Sequence, residues 1–171
     1  FIRGEMGTPS QVMVRKKVLD NTGLFDLNLE ALQDYDLWIR CCLVTKVDFV
    51  PEPCINYYNS TNTDQVSSKT DKYIKSRLYI REKYRDEIAK FGKEFEQKVD
   101  IIVRNRIAER CMRNGQNREA RRYAVKAWRI RPSKVSFILV VASFFPYSFI
   151  VKVRSAIKSR NLYWHIKDMW S

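Results

Sequence analysis

The chain changes character near residue 65, and that break limits its possible folds more than any other feature. Residues 1–65 carry 6 Lys/Arg against 9 Asp/Glu, a balance of −3, whereas residues 66–171 carry 26 against 10, a balance of +16. Beyond the break the apolar residues keep a helical beat. Tyr73, Arg77, Tyr79, Ile80 and Tyr84 lie on a long basic helix. Phe95, Val99, Ile102, Val103 and Ile107 recur at the 3.6-residue period and predict a second helix over 91–112, ended by Asn114-Gly115. A third helix covers NREARRYAVKAWRIRP, with Ala120, Ala124 and Ala127 as its packing face and Pro132 as its stop. The expected organisation is a front portion, 1–65, and a basic helical tail, 66–171.

The front portion reads differently. Gly7-Thr8-Pro9 turns the chain and Gln11–Val14 alternates like a short strand. Arg15–Asn21 reads as a helix closed by Gly23. Leu43–Pro53, with Val47, Phe49, Val50 and two prolines, suits a sheet edge, and Cys54–Tyr58 a further short strand. Between them, Leu32–Arg40 forms a short amphipathic helix that opens with Asp34 and Asp36, where unpaired N–H groups and the helix dipole favour carboxylates. Leu37, Trp38, Cys41 and Cys42 supply its apolar contacts, and Arg40 stands four residues after Asp36 for an ion pair. An ionised carboxylate whose direction is fixed by a bulky neighbour suits a general base. By themselves, however, these residues favour capping and an ordinary i,i+4 pair over catalysis.

The segment GLFDLNLEALQDYDLWIRCC resembles the second half of the family-2 inverting glycosyltransferases of the GT-A fold. Gly23, Phe25, Asp26, Asp34, Asp36, Leu37, Trp38 and Arg40 all stand where that pattern places them, and Pro9-Ser10 and Tyr57-Tyr58 are similar in spacing. The likeness covers about the first 65 residues. It implies an α/β fold, the C-terminal portion of a GT-A nucleotide-sugar transferase domain, followed by an α-helical tail. It also implies transfer of a sugar from a nucleotide-sugar donor to a glycan or lipid-linked acceptor with inversion, Asp34 acting as the catalytic base. Asp36, Trp38 and Arg40 would support the site, Ser10 would lie near the acceptor or diphosphate side, and Gln33 stands where relatives usually carry Glu. A divalent metal, Mg or Mn, is implied for the full enzyme, held mainly by an upstream Asp-x-Asp outside these residues. Relatives often carry a Tyr-Arg-x-His-like run after the return strand. Here YYNSTNTDQVS lacks both Arg and His, and Asn62 and Asp64 fit a solvated loop better than a metal site. On this reading the chain supplies the base and acceptor wall and does not turn over alone.

The tail's third helix also resembles the second helix of a tetratricopeptide unit. One such unit is visible and about three are needed for a solenoid, so it reads as packing decoration on the catalytic portion. The four cysteines form no C-x-x-C pair and His165 is the lone histidine, which argues against zinc. Val135–Val151 is uncharged for 17 residues, short of the roughly 20 that a spanning helix needs, and Pro146 interrupts it. With its Lys/Arg flanks and the aromatics Tyr163, Trp164 and Trp170, it fits an in-plane anchor on an anionic membrane surface or a buried helix pair. The expected location is cytoplasmic, peripheral at the inner face of the cell membrane. The alternative function is a basic α-helical binding module for nucleic acid or an acidic partner, although no nucleic-acid motif is present.

Overall fold

The computed structural model describes residues 7–52, 54–56 and 69–159. It divides into two compact units, Phe1–Ile80 and Arg81–Ser171. The boundary falls inside a helix that the sequence reading assigns wholly to the tail.

The first unit is built around two helices. A 3-10 turn over Pro9–Gln11 is closed by the Gln11 side chain, whose Oε1 accepts the Thr8 N–H at 2.9 Å. Helix α1 (Lys16–Thr22) follows and stops at Gly23, whose φ of 75° and ψ of 177° are open almost only to glycine. Helix α2 (Gln33–Val44) begins after Leu32, the one non-glycine residue with positive φ (62°) among those described. Leu37, Trp38 and Cys41 of α2 form a small core, against which Val12, Val14, Val18 and Leu19 pack. The first part of α3 (Thr70–Lys83) belongs with this unit, because the buried Ser76 Oγ accepts the Ala31 N–H at 3.2 Å.

This corrects the α/β expectation. Every regular element among the described residues is helical, so the chain does not show the α/β portion of a GT-A domain. The reason is local. Val12 is extended (φ −121°, ψ 131°) and the alternation is real, since Val12 and Val14 pack inward while Met13 is 99 % exposed. An extended segment becomes a strand only when a neighbour takes its alternate N–H and C=O groups, and no segment among the described residues does so. Helix α2 absorbs Leu43 and ends at Val44, and 46–52 run on without a ladder. Residues 54–56 are likewise irregular. Tyr57 and Tyr58, the loop with Asn62 and Asp64, and His165 with its aromatic neighbours lie outside the described residues.

The second unit comprises α4 (Arg85–Ala89), α5 (Lys93–Arg113), α6 (Asn117–Ile130), α7 (Lys134–Ala142) and α8 (Tyr147–Ser159). Helices α5 and α6 make its most extensive contact. Ala120, Ala124 and Ala127 are wholly inaccessible, as are Ile107, Ala108 and Cys111 of α5, so small side chains on α6 allow close approach of the two backbones. Gly115 (φ 73°) makes the turn between the two helices. Ser133 caps α7 by accepting the Ser136 N–H at 3.1 Å, and the buried Ser136 Oγ reaches Asn105 Oδ1 on α5 at 3.1 Å. Arg81 ties the end of α3 to α5 through Asp100 (2.6 Å) and Glu96 (3.0 Å).

Candidate functional site

The two carboxylates at the start of α2 have different surroundings. Asp36 has no solvent exposure, and its Oδ2 accepts the Arg40 Nε–H at 3.0 Å. The rest of the Arg40 guanidinium spreads over the turn after α1. Its Nη1 donates to the carbonyls of Thr22 (2.5 Å) and Gly23 (3.2 Å), and its Nη2 donates to that of Leu24 (2.6 Å). A planar fork with five donors can hold a carboxylate and three carbonyls at once, and an ammonium cannot. Gly23 is required on geometric grounds: its φ bends the chain so that three successive carbonyls face one cation. The residues of the GLFD and DYDLWIR stretches are therefore one structural clamp.

Trp38 extends the clamp toward the N-terminus. Its ring is buried in the α1–α2 core and its Nε1–H donates to the Gly7 carbonyl at 3.1 Å. Ser10 is exposed in the 3-10 turn, where its hydroxyl meets the Thr8 hydroxyl at 3.0 Å. Gln33 donates from Nε2 to the Leu29 carbonyl at 2.9 Å and thereby pins the loop entering α2. A Glu at this position would carry no such donor, so the Gln is matched to its partner. Asp26, the last residue of GLFD, accepts the Asn28 N–H at 3.0 Å and the Tyr79 hydroxyl at 3.4 Å.

Asp34 is the remaining carboxylate. It is half-buried in the first turn of α2, its Oδ1 accepts the Tyr35 N–H at 2.8 Å, and it makes no ion pair among the described residues. It stands two residues after the left-handed Leu32, a backbone state that costs of order 1–3 kcal/mol and persists only where the surroundings enforce it. The structure thus commits Asp36 to holding the fold and leaves Asp34 on a fixed helix start with acceptor capacity to spare. Asp34 does not line the hollow of about 260 Å³ beside α2, which is walled by Val12, Val14, Leu19, Leu24, Phe25, Leu37 and Trp38. That wall is apolar and suits packing, not a sugar.

One neighbour of this helix start, expected from the sequence only as a member of the basic helix, is Arg77. Arg77 on α3 is only 5 % exposed, lies 4.6 Å from the centroid of the Tyr35 ring, and its buried Nε has no hydrogen-bond partner among the described residues. A buried cation stacked on an aromatic face is stabilised by the ring quadrupole. Its only sequence signal is a charged residue on the apolar side of α3, four residues after Tyr73 and three before the buried Ile80.

The described residues do not fit a divalent ion. No three of His, Cys, Asp and Glu come together among them, Asp36 is occupied by Arg40, and one carboxylate does not make a site for a hard cation. The free cysteines are dispersed, Cys41 and Cys111 buried, Cys42 and Cys54 exposed, and burial followed by the nearby Cys41 pushes the Cys42 thiol up. No family model, curated protein or solved structure matches this chain.

Proposed function

We propose that the chain contributes the acceptor side of an inverting, nucleotide-sugar-dependent glycosyltransferase, with Asp34 as general base. The observation that carries this reading is the division of labour between the α2 carboxylates. Asp36 is buried and spent on Arg40, while Asp34, two residues earlier, is half-buried and makes no ion pair among the described residues. Asp34 accepts the proton of an acceptor hydroxyl as that oxygen attacks the anomeric carbon of the donor. The anomeric C–O bond to the diphosphate breaks on the opposite face, the nucleoside diphosphate leaves, and the configuration inverts. The Arg40 clamp, Trp38 and Gln33 fix the helix start that carries the base, and so act as positioning residues.

The donor nucleotide and any Mg or Mn belong, on this reading, to protein outside these residues, and no step above runs through the metal. A glycan or lipid-linked acceptor at the cytoplasmic face of the cell membrane accords with the basic tail. The test is release of nucleoside diphosphate from a panel of nucleotide sugars by the protein carrying its donor-binding portion. Asp34→Asn lowers turnover by roughly 10²–10⁴-fold with donor affinity retained. Turnover kept within a few-fold of the parent would refute the assignment.

A further inference from the structure

We infer that helix α8, with the turn that leads into it, is a docking face for the surface of an anionic lipid bilayer. Helix α8 makes this case first. It has 13 residues, and none of residues 147–156 is buried. A helix of that length is marginal in water by itself, and its Phe149, Val151 and Val153 side chains are exposed. Phe149 is 49 % exposed and Val153 41 %, and with Phe145 before them they recur at intervals of four and so share one stripe.

The turn leading into α8 is rigid. The Phe145 and Phe149 rings stack with centroids 5.3 Å apart. Arg121 of α6 lies 3.6 Å from the centroid of the Phe144 ring and donates to Ser143 Oγ (3.2 Å) and to the Ser143 carbonyl (3.3 Å). Asn117 donates to the Phe145 carbonyl at 2.9 Å. The turn is therefore tied to the start of α6, with Phe144 left 62 % exposed. Burial of these rings in the protein is not what holds them there.

Charge selects the occupant. From Ala120 to Ser159 the chain has nine Lys/Arg and no Asp/Glu. An apolar stripe flanked by Lys152 and Arg154, on a helix with no acidic residue, has the composition of an in-plane amphipathic helix attracted to acidic headgroups. No helix among the described residues is long and apolar enough to cross a membrane, so adsorption in the interface is the geometry available to α8. A nucleic acid would use the cations but leave the Phe and Val stripe in water. A second copy of this chain would bring equal positive charge to the same face.

The inference is independent of sugar transfer, and its test reads binding alone. The full chain is floated with vesicles of phosphatidylcholine, with and without phosphatidylglycerol. It should float with the anionic vesicles, and neutralising Lys152 and Arg154 to Gln should lower the partition coefficient about fivefold per residue. Phe149→Glu with Val153→Glu should abolish flotation. Since both sites are exposed, the helical circular dichroism and thermal midpoint of the chain should stay unchanged. Three results would overturn the inference: no flotation of the parent chain, flotation that the double variant leaves intact, or salt-sensitive binding to nucleic acid with no lipid binding. A dimer dispersed by the double variant, with no vesicle binding, would assign the face to self-association instead.

Discussion

Replacing Arg40 by alanine removes the cation paired with Asp36, a carboxylate with no solvent exposure, and the loss can be sized from the contacts. Asp36 Oδ2 loses its partner at 3.0 Å, and the carbonyls of Thr22, Gly23 and Leu24 lose donors at 2.5, 3.2 and 2.6 Å. Breaking a buried pair by deleting one member costs about 3–5 kcal/mol, mostly the penalty of the charge left behind. The carbonyls border solvent and can be rehydrated, which limits their share, so we expect about 3–5 kcal/mol in all. That is a large part of the 5–15 kcal/mol that typical domains possess. Arg40→Lys keeps the charge without the fork and should lose roughly 1–3 kcal/mol, the value of one or two charged hydrogen bonds. Asp36→Leu with Arg40→Met removes both charges and should recover most of the loss. The assay is equilibrium urea unfolding followed by fluorescence, in a background where Trp38 is the sole tryptophan, so that the first unit is read alone. A loss below about 1 kcal/mol for Arg40→Ala, or single losses that simply add in the double variant, would refute the clamp as a coupled unit.

Three further outcomes follow from the geometry. Gly23→Ala places a Cβ 3.7 Å from Arg40 Nη1, an ordinary contact, so its cost is the backbone strain at φ 75° alone. That cost is about 1–3 kcal/mol, read by the same unfolding assay. Glu30 titrates below its ordinary 4.5 because Lys72 hydrogen-bonds it and adds a favourable charge, with Lys75 and Lys69 contributing less. A depressed carboxylate stabilises the fold above its unfolded pKa and loses that contribution as pH falls through the folded value. Lys72→Met should therefore return Glu30 toward 4.5 in a carboxyl NMR titration and flatten the acid limb of stability in that range. Ala124→Leu overfills the inaccessible α5–α6 seam and should lower the melting temperature through a loss of about 1–3 kcal/mol, whereas the same change at an exposed α6 position should not.

Much of the helical architecture is legible in the residues because it depends on near neighbours. The beat of Val99, Val103 and Ile107 sets α5, alanines four and three apart set the α6 face, and glycines close α1 and the α5–α6 turn. The i,i+4 pair Asp36–Arg40 forms where the spacing predicts it, though buried and not on the surface. The front portion failed as α/β for a non-local reason: alternation at Val12–Val14 marks an extended segment, but strand formation is decided by a second segment that no local pattern supplies.

The sequence by itself determined the positions of α1, α5 and α6 and the strong basicity of the tail, since propensity, period and charge are properties of adjacent residues. Only the tertiary structure decided which carboxylate is spent and which is available. Asp34 and Asp36 are nearly alike as letters, but Asp36 faces inward, where Arg40 bridges it to the carbonyls of the preceding turn. It also decided that Arg77 stacks on Tyr35 and that the stripe on α8 is left facing solvent. Burial and cross-chain partners depend on what the rest of the chain brings alongside, and that information is absent from any single window of residues.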